Sequence, residues 1–456
     1  MATKTLSKDF TTGPIAKQMF FFMLPFMLSN AMQVLYNTID MMVVGKYVGI
    51  EGISAVGQSG QIVNFATMVC LGFSNAGQVV LAQALGAGKK KEINNIIGTL
   101  FGLIMLIAAI LSLIIFAHKS QILNLMNIPA ESYDMSMQYL VICTSGFVFT
   151  AGYNMVSAVL RGMGDSKRPF LFIAIASVVN LVLDFLFTGY LGWGVAGAAY
   201  ATIIGQAVSF IFSIYYLYKR KESFGFDFKL KSFKMNRQYA KMMTGIGAPM
   251  AIQSGCINLS MLFVNSMINN VSLVASATFS AGGKIDDIIN KISQGIHHAA
   301  MPMVSQNIGA DQKDRAKRIV HVAWIFSGIL TAIFIVLYIF LGKEMFTLFS
   351  DDAAVHDMSA TFIKAIIWMF PALALMRGTG ALIQGIGNAK LSMVLALLDG
   401  VVLRIGLSWL FGMYFGWGFF GFVLGYGLAA YGYAIPSVIY FLSGKWRHHK
   451  VLAKDI

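Results

Sequence analysis

The sequence is short of charge. Only 12% of its 456 residues are Asp, Glu, Lys or Arg, whereas 57% are hydrophobic. That balance excludes an ordinary soluble domain, and the apolar runs of about 20 residues or more identify a polytopic membrane protein. Cysteine is equally scarce: Cys70, Cys143 and Cys256 all fall in apolar runs, so they form neither a disulfide framework nor a metal cluster. No G-x-x-x-x-G-K-[ST] loop exists, because Gln83 stands where the first glycine would be. ATP hydrolysis by that route is excluded, and any work the chain does draws on an ion gradient. The first apolar run is too long for a cleaved signal peptide and lacks a small-residue cleavage site, so the first span acts as its own signal.

Acidic residues are also few, 20 against 34 basic ones, for a net charge of +14. The position of the cations decides what that charge means. They gather at Lys4, Lys8 and Lys17; at Lys89, Lys90 and Lys91; at Arg161, Lys167 and Arg168; and from Lys219 to Lys241. Further groups are Lys313, Arg315, Lys317 and Arg318, then Lys390, then Lys445, Arg447, Lys450 and Lys454. The alternate connections hold only Lys46, Lys119 and Lys343. This asymmetry is the positive-inside pattern: it predicts an even number of spans with both termini cytoplasmic, and it orients the protein without implying nucleic-acid binding.

What is present is a succession of apolar runs that predicts about twelve helices. The one long polar connection, Lys219 to Lys241, divides them into an amino-terminal six-helix lobe (1–218), a linker (219–239) and a carboxyl-terminal six-helix lobe (240–456). No segment is large enough for a separate soluble enzyme. The halves repeat each other. LAQALGAGKKKEI from Leu81 aligns with VSQNIGADQKDRA from Val304, and AVLRGMGDSK from Ala158 with ALIQGIGNAK from Ala381. YLGWGVAG from Tyr190 aligns with YFGWGFFG from Tyr414, and Pro25 falls opposite Pro249, at a steady offset of about 223 to 224 residues. Parallel repeats of six spans predict two lobes related by a pseudo-two-fold axis along the membrane normal, the geometry of alternating access.

Intramembrane ionisable groups are functional candidates by default. In the first span Gln33, Asn37 and Asp40 share one helical stripe, with Tyr36 one turn before Asp40. In the fifth, Asn180 and Asp184 share a face. No Lys or Arg lies within the spans of this half, so compensation for Asp40 and Asp184 comes from outside the chain. Their oxygens, with the Asn180 amide and the Thr202 hydroxyl, suit a hard cation. The second half instead carries Lys284, Lys291, Lys364, Arg377 and Arg404 beside Asp286, Asp287 and Asp399. Lys284, Asp287 and Lys291 are spaced as an ion-pair ladder, and Asp399 has Arg377 or Arg404 as partners, which predicts a structural charge network. Tyr36, Tyr139 and Asn154, with Gln33 and Asn37, are the expected cavity-lining residues. Pro25 removes a backbone hydrogen bond and predicts a hinge in the first span.

Other motifs fail on context. GWGVAG and GWGFFG match G-x-G-x-x-G but follow no strand, and Asp165 of GMGD lies among loop cations. His297 and His298 are adjacent and point apart on a helix, so no metal site is expected.

The ordered set LP then NTID in span one, LGAG after span two, RGMGDSK after span four and NLVLD from Asn180, with Thr202, resembles the multidrug and toxic compound extrusion (MATE) family, in particular its DinF-like prokaryotic branch. The resemblance covers essentially the whole chain. It implies an all-α protein of twelve transmembrane helices in two lobes. It also implies a monomeric antiporter in a prokaryotic cytoplasmic membrane, exporting organic cations, drugs or toxic metabolites in exchange for H⁺ or Na⁺, with no other cofactor. Residues at the positions of Asp40, Asn180, Asp184 and Thr202 are implicated there in cation binding, and bending at Pro25 in coupling. The acids that NorM-type members carry in spans seven and ten are missing from PMAIQSGCINLS at Pro249 and PALALMRGTGALIQG at Pro371, so no NorM-like sodium site is expected in the second lobe. Two other readings are flipping of a lipid-linked precursor and an intramembrane hydrolase using Asp40 and Asp184 as a dyad.

Overall fold

A computed structural model describes residues 8–456 apart from position 351; Lys4 of the first basic cluster therefore lies outside the described residues. Backbone N–H and C=O groups in hydrocarbon must be paired within the chain, and apolar segments of this length do so as helices. Among the described residues the first half forms α1 (Ile15–Tyr47), α2 (Ile50–Gly86), α3 (Ile93–Leu125), α4 (Ala130–Ser145), α5 (Phe147–Gly162), α6 (Lys167–Asp184) and α7 (Gly194–Lys219). After the short α8 (Lys221–Phe224), the second half forms α9 (Arg237–Asn269), α10 (Leu273–Gly309), α11 (Lys313–Thr347), α12 (Ala353–Ile366) and α13 (Met369–Gly385). It ends with α14 (Ala389–Leu397), α15 (Arg404–Trp409), α16 (Gly418–Leu428) and α17 (Tyr431–Leu442).

Nine described segments are long and apolar enough to cross a bilayer, and the bent pairs α4–α5 (49°) and α12–α13 (47°) bring the number to 11. The twelfth is α10, whose 37 residues are ample for a span. Lys284, Asp286, Asp287, Lys291 and two histidines dilute its apolar character. The chain is an all-α polytopic protein.

The internal repeat reappears as matched backbone geometry. Gly164 and Gly387, which follow α5 and α13, both have φ +85°, a left-handed conformation that favours glycine. The two halves also share a widened π-helical turn before their GWG loops, Phe185–Tyr190 in one and Leu410–Tyr414 in the other.

The compact units do not divide at the polar connection. One comprises Leu28–Ala251 with residues 8, 9 and 456, the other Phe10–Met27 with Ile252–Asp455. The expected linker docks inside the first unit because its aromatic residues are buried. Phe224 and Phe226 are almost inaccessible, Phe233 packs on Phe101 with ring centroids 4.9 Å apart, and Asn94 donates from Nδ2 to Ser232 Oγ at 2.9 Å. The boundaries instead fall within α1, between residues 27 and 28, and within α9, between residues 251 and 252. In each helix the boundary lies just after a proline, Pro25 or Pro249. A proline inside a helix removes one i→i−4 hydrogen bond and weakens the helix at that turn. Pro249→Ala is therefore expected to match Pro25→Ala, slowing substrate exchange in proteoliposomes while the melting temperature stays level or rises. A faster Pro249→Ala protein would contradict a mechanical contribution from the second proline.

Candidate functional site

Four helices of the first unit converge on one polar cluster. Asp40 projects from α1 and is 9% exposed, while Asp184 ends α6 and is fully buried. Their carboxyl groups meet as hydrogen-bonding neighbours. Two carboxylates are both acceptors, however, and neither can donate to the other unless a proton is present. Accordingly Asp40 Oδ1 and both Asp184 oxygens are sealed from solvent with no donor. Burying such atoms unpaired costs several kcal/mol, so the cluster is poised to accept a proton or a cation.

Around the pair lie Asn180 on α6, buried with Nδ2 unpartnered, and Thr202 on α7, whose hydroxyl is a hydrogen-bonding neighbour of Tyr139 on α4. A small cavity beside them is lined by Tyr36, Ser177, Asn180, Thr202, Gly205 and Gln206, together with Ile173 and Ala176. Gly205 permits this arrangement: a Cβ there would stand 3.1 Å from both Ala176 O and Asn180 Cβ. Any larger residue would push α7 away from α6 at the very turn that carries the amide and the hydroxyl. The widened turn Phe185–Tyr190 begins immediately after Asp184. Such turns recur at functional sites because they re-aim a side chain and loosen the hydrogen-bond ladder.

The structure brings Asp40, Asn180, Asp184 and Thr202 into one cluster, of which spacing alone had joined only Asn180 with Asp184, and Tyr36 lines the cavity. The other expected lining residues separate. Tyr139 sits in the packed core beside Val44 and Val56 and contacts the site through Thr202. Asn37 faces outward, Gln33 and Asn154 are half-buried, and none of the three lines this cavity. Of the stripe Gln33, Asn37 and Asp40, only Asp40 is buried. Gln206, whose Oε1 is buried without a partner, was missed, although its i+4 relation to Thr202 marks the same face of α7.

In the second unit the expected six-residue charge network resolves into separate arrangements. Arg404 Nη2 donates to Asp399 Oδ1 at 3.1 Å, in a pair 11% and 6% exposed. Arg377 does not join them; it donates to Asn290 Oδ1 and, at 3.0 Å, to Ser293 Oγ. The Lys291–Asp287 pair forms at 2.8 Å but is 37% and 56% exposed, so it is not a buried ladder, and Lys284 instead lies over the Phe349 ring. The buried acid of α10 is the adjacent Asp286, which accepts from the Tyr338 hydroxyl at 2.6 Å. Neighbouring helical positions are about 100° apart, and packing, not spacing, selects which one turns inward.

A polytopic helical protein with an internal repeat and a buried acidic cluster has the form of a membrane transporter. Residues 25–186 and 249–410 both match the MatE family. A probable multidrug resistance protein of Bacillus subtilis, YpnP, is 28% identical over 98% of this chain and 99% of its own length. A probable multidrug resistance protein NorM of Thermotoga maritima is 26% identical over 97% and 95%. A multidrug resistance MATE family transporter solved in an outward-facing conformation superposes with a TM-score of 0.90 at 21% identity, covering 98% of both chains. The chain belongs to the MATE family, whose members are multidrug efflux transporters and not enzymes.

Tyr338→Phe removes the donor to buried Asp286 without changing the ring. It is expected to cost about 1–3 kcal/mol of stability, read as a lowered melting temperature of the purified protein. Unchanged melting would show that this hydrogen bond contributes nothing net.

Proposed function

We propose that this protein is a secondary active antiporter of the prokaryotic cytoplasmic membrane, exporting organic cations, drugs or toxic metabolites against inward movement of H⁺ or Na⁺. The observation that carries the coupling is the Asp40–Asp184 pair, with three orphaned carboxyl oxygens and no Lys or Arg among the side chains that surround it. Asp40 and Asp184 bind the coupling ion, and Asn180 and Thr202 complete an oxygen-rich shell that a hard monovalent cation accepts. A proton removes the repulsion by converting one carboxylate into a donor; sodium removes it by bridging both. Either ion drives transport when its binding and substrate binding favour opposite conformations of the protein. Tyr36 and Gln206 are placed to sense which state the site is in, because both line the adjoining cavity.

Export by alternating access uses the two repeated halves as moving parts, with both termini cytoplasmic as the basic clusters indicate. The protein works as a monomer, its lipid bilayer and small organic substrates being its only partners. The resemblance of relatives named for multidrug resistance supports this substrate class over a lipid-linked precursor. Hydrolysis is excluded by family membership.

Protons and sodium neutralise the same oxygens, so they compete. Sodium affinity of the purified wild-type protein is expected to fall as pH is lowered from about 8 to about 5. Asp40→Asn and Asp184→Asn are both expected to fold, to lose that pH-dependent sodium binding and to abolish gradient-driven efflux in proteoliposomes. Isothermal titration for the ion and counterflow of a fluorescent cation under separate pH and sodium gradients check the two halves of the claim. Sodium binding indifferent to pH and retained in Asp184→Asn would place the coupling site elsewhere.

A further inference from the structure

The second unit holds an arginine whose charge no described residue balances. Arg377 lies at the middle of α13, and among the described residues it makes no ion pair. The two buried acids of this unit are already engaged, Asp399 by Arg404 and Asp286 by Tyr338. Asp287 pairs with Lys291. Arg377 spends only Nη2, on the Asn290 side chain and carbonyl and on Ser293 Oγ. These are neutral acceptors and leave the net charge in place. Its Nε is sealed from solvent with no hydrogen-bond partner.

The arginine borders a small cavity between α10, α11 and α13, lined also by Ser293, Ser327, Thr331, Phe334 and Phe370. Ser327 is 2% exposed, and its hydroxyl is the second buried polar group here without a partner. A guanidinium and an unused hydroxyl therefore border the same water-sized space, whose remaining wall is aromatic and aliphatic. Water could satisfy the two donors, but its dipole does not neutralise a half-buried guanidinium whose Nε is sealed from solvent, and an intramembrane charge without a counterion is costly. A cation is repelled. A sulfate carries twice the charge available.

We infer that this cavity is a binding site for a small monovalent anion of chloride size, held by Arg377 with Ser327 as an auxiliary donor. The site lies in the opposite half of the chain from the proposed coupling residues and does not depend on that assignment. Such an anion would complete the electrostatics of the second unit as the coupling cation completes those of the first.

Thermal melting of the purified full-length protein tests this directly, with sodium held constant while chloride is exchanged for gluconate, which is too large for the cavity. A ligand that binds only the folded state raises the melting temperature saturably. Wild type is expected to melt a few degrees higher in chloride. Arg377→Gln is expected to lose the chloride dependence, and Ser327→Ala to shift it to higher concentration. Should Arg377→Gln not fold, anomalous diffraction from wild-type crystals grown in bromide gives the same answer, with a peak beside Arg377 expected. Equal melting in chloride and gluconate, chloride dependence retained in Arg377→Gln, or no bromide peak at the cavity would each overturn the inference. Stabilisation by formate but not by chloride would overturn it in favour of a carboxylate group borne by a transported molecule.

Discussion

Two carboxyl groups, Asp40 and Asp184, are brought together inside a bilayer with no fixed positive charge beside them. The groups are acceptors facing acceptors, and three of their oxygens have no donor. In water such a pair would be solvated; between packed helices each charge retains a penalty of several kcal/mol unless a proton or ion enters. The proposed coupling rests on this imbalance, which a proton or a cation relieves. Packing around the pair gives it its form: Gly205 lets α7 lie directly on Asn180, and the widened turn after Asp184 ends the regular ladder at that carboxyl group. A site in which binding a small ion relieves strain is also a site whose occupancy can bias conformation.

Much of this was legible in the sequence because helical geometry in a membrane is periodic and strongly constrained. Apolar run length gave the spans, and i, i+4 spacing put Asn180 and Asp184 on one face. The absence of Lys and Arg from the spans of one half singled out Asp40 and Asp184. The repeat, read from Gly164 and Gly387 among others, is present as equal backbone angles. What could not be read depended on tertiary packing. Whether Asp286 or Asp287 turns inward follows from where α11 presents Tyr338. Of the two arginines offered to Asp399, Arg404 takes it, and Arg377 reaches Asn290 and Ser293 instead. The polar stripe at Gln33 and Asn37 was real as spacing, yet of its three residues only Asp40 joins the cluster.

The division between units carries a similar lesson. A basic, polar stretch from Lys219 to Lys241 looks like a linker, since composition records charge before packing. Its phenylalanines override that reading: Phe224, Phe226 and Phe233 fold the connection onto α3. The boundaries move into α1 and α9, each just beyond its proline. A missing backbone hydrogen bond is a suitable place for a helix to serve two packing units, because the ladder there is already interrupted.

The repeat also shows how differently the two halves are built at this place. An offset of about 224 residues sets Asp40 opposite Val264, Asn180 opposite Arg404, Asp184 opposite Ser408 and Thr202 opposite Tyr426. In the second half Val264 is fully buried among apolar neighbours. The Arg404 guanidinium lies 4.7 Å from the centre of the Tyr426 ring while donating to Asp399. An aromatic face and a carboxylate both attract cations. A permanently attached guanidinium thus occupies the region whose counterpart in the first half offers two carboxylates, an amide and a hydroxyl to an ion from solution. One descendant of the duplicated fold has built its cation into the chain and is electrostatically closed there. The other has no built-in cation at its acidic cluster, and the proposed coupling to a gradient rests on that difference.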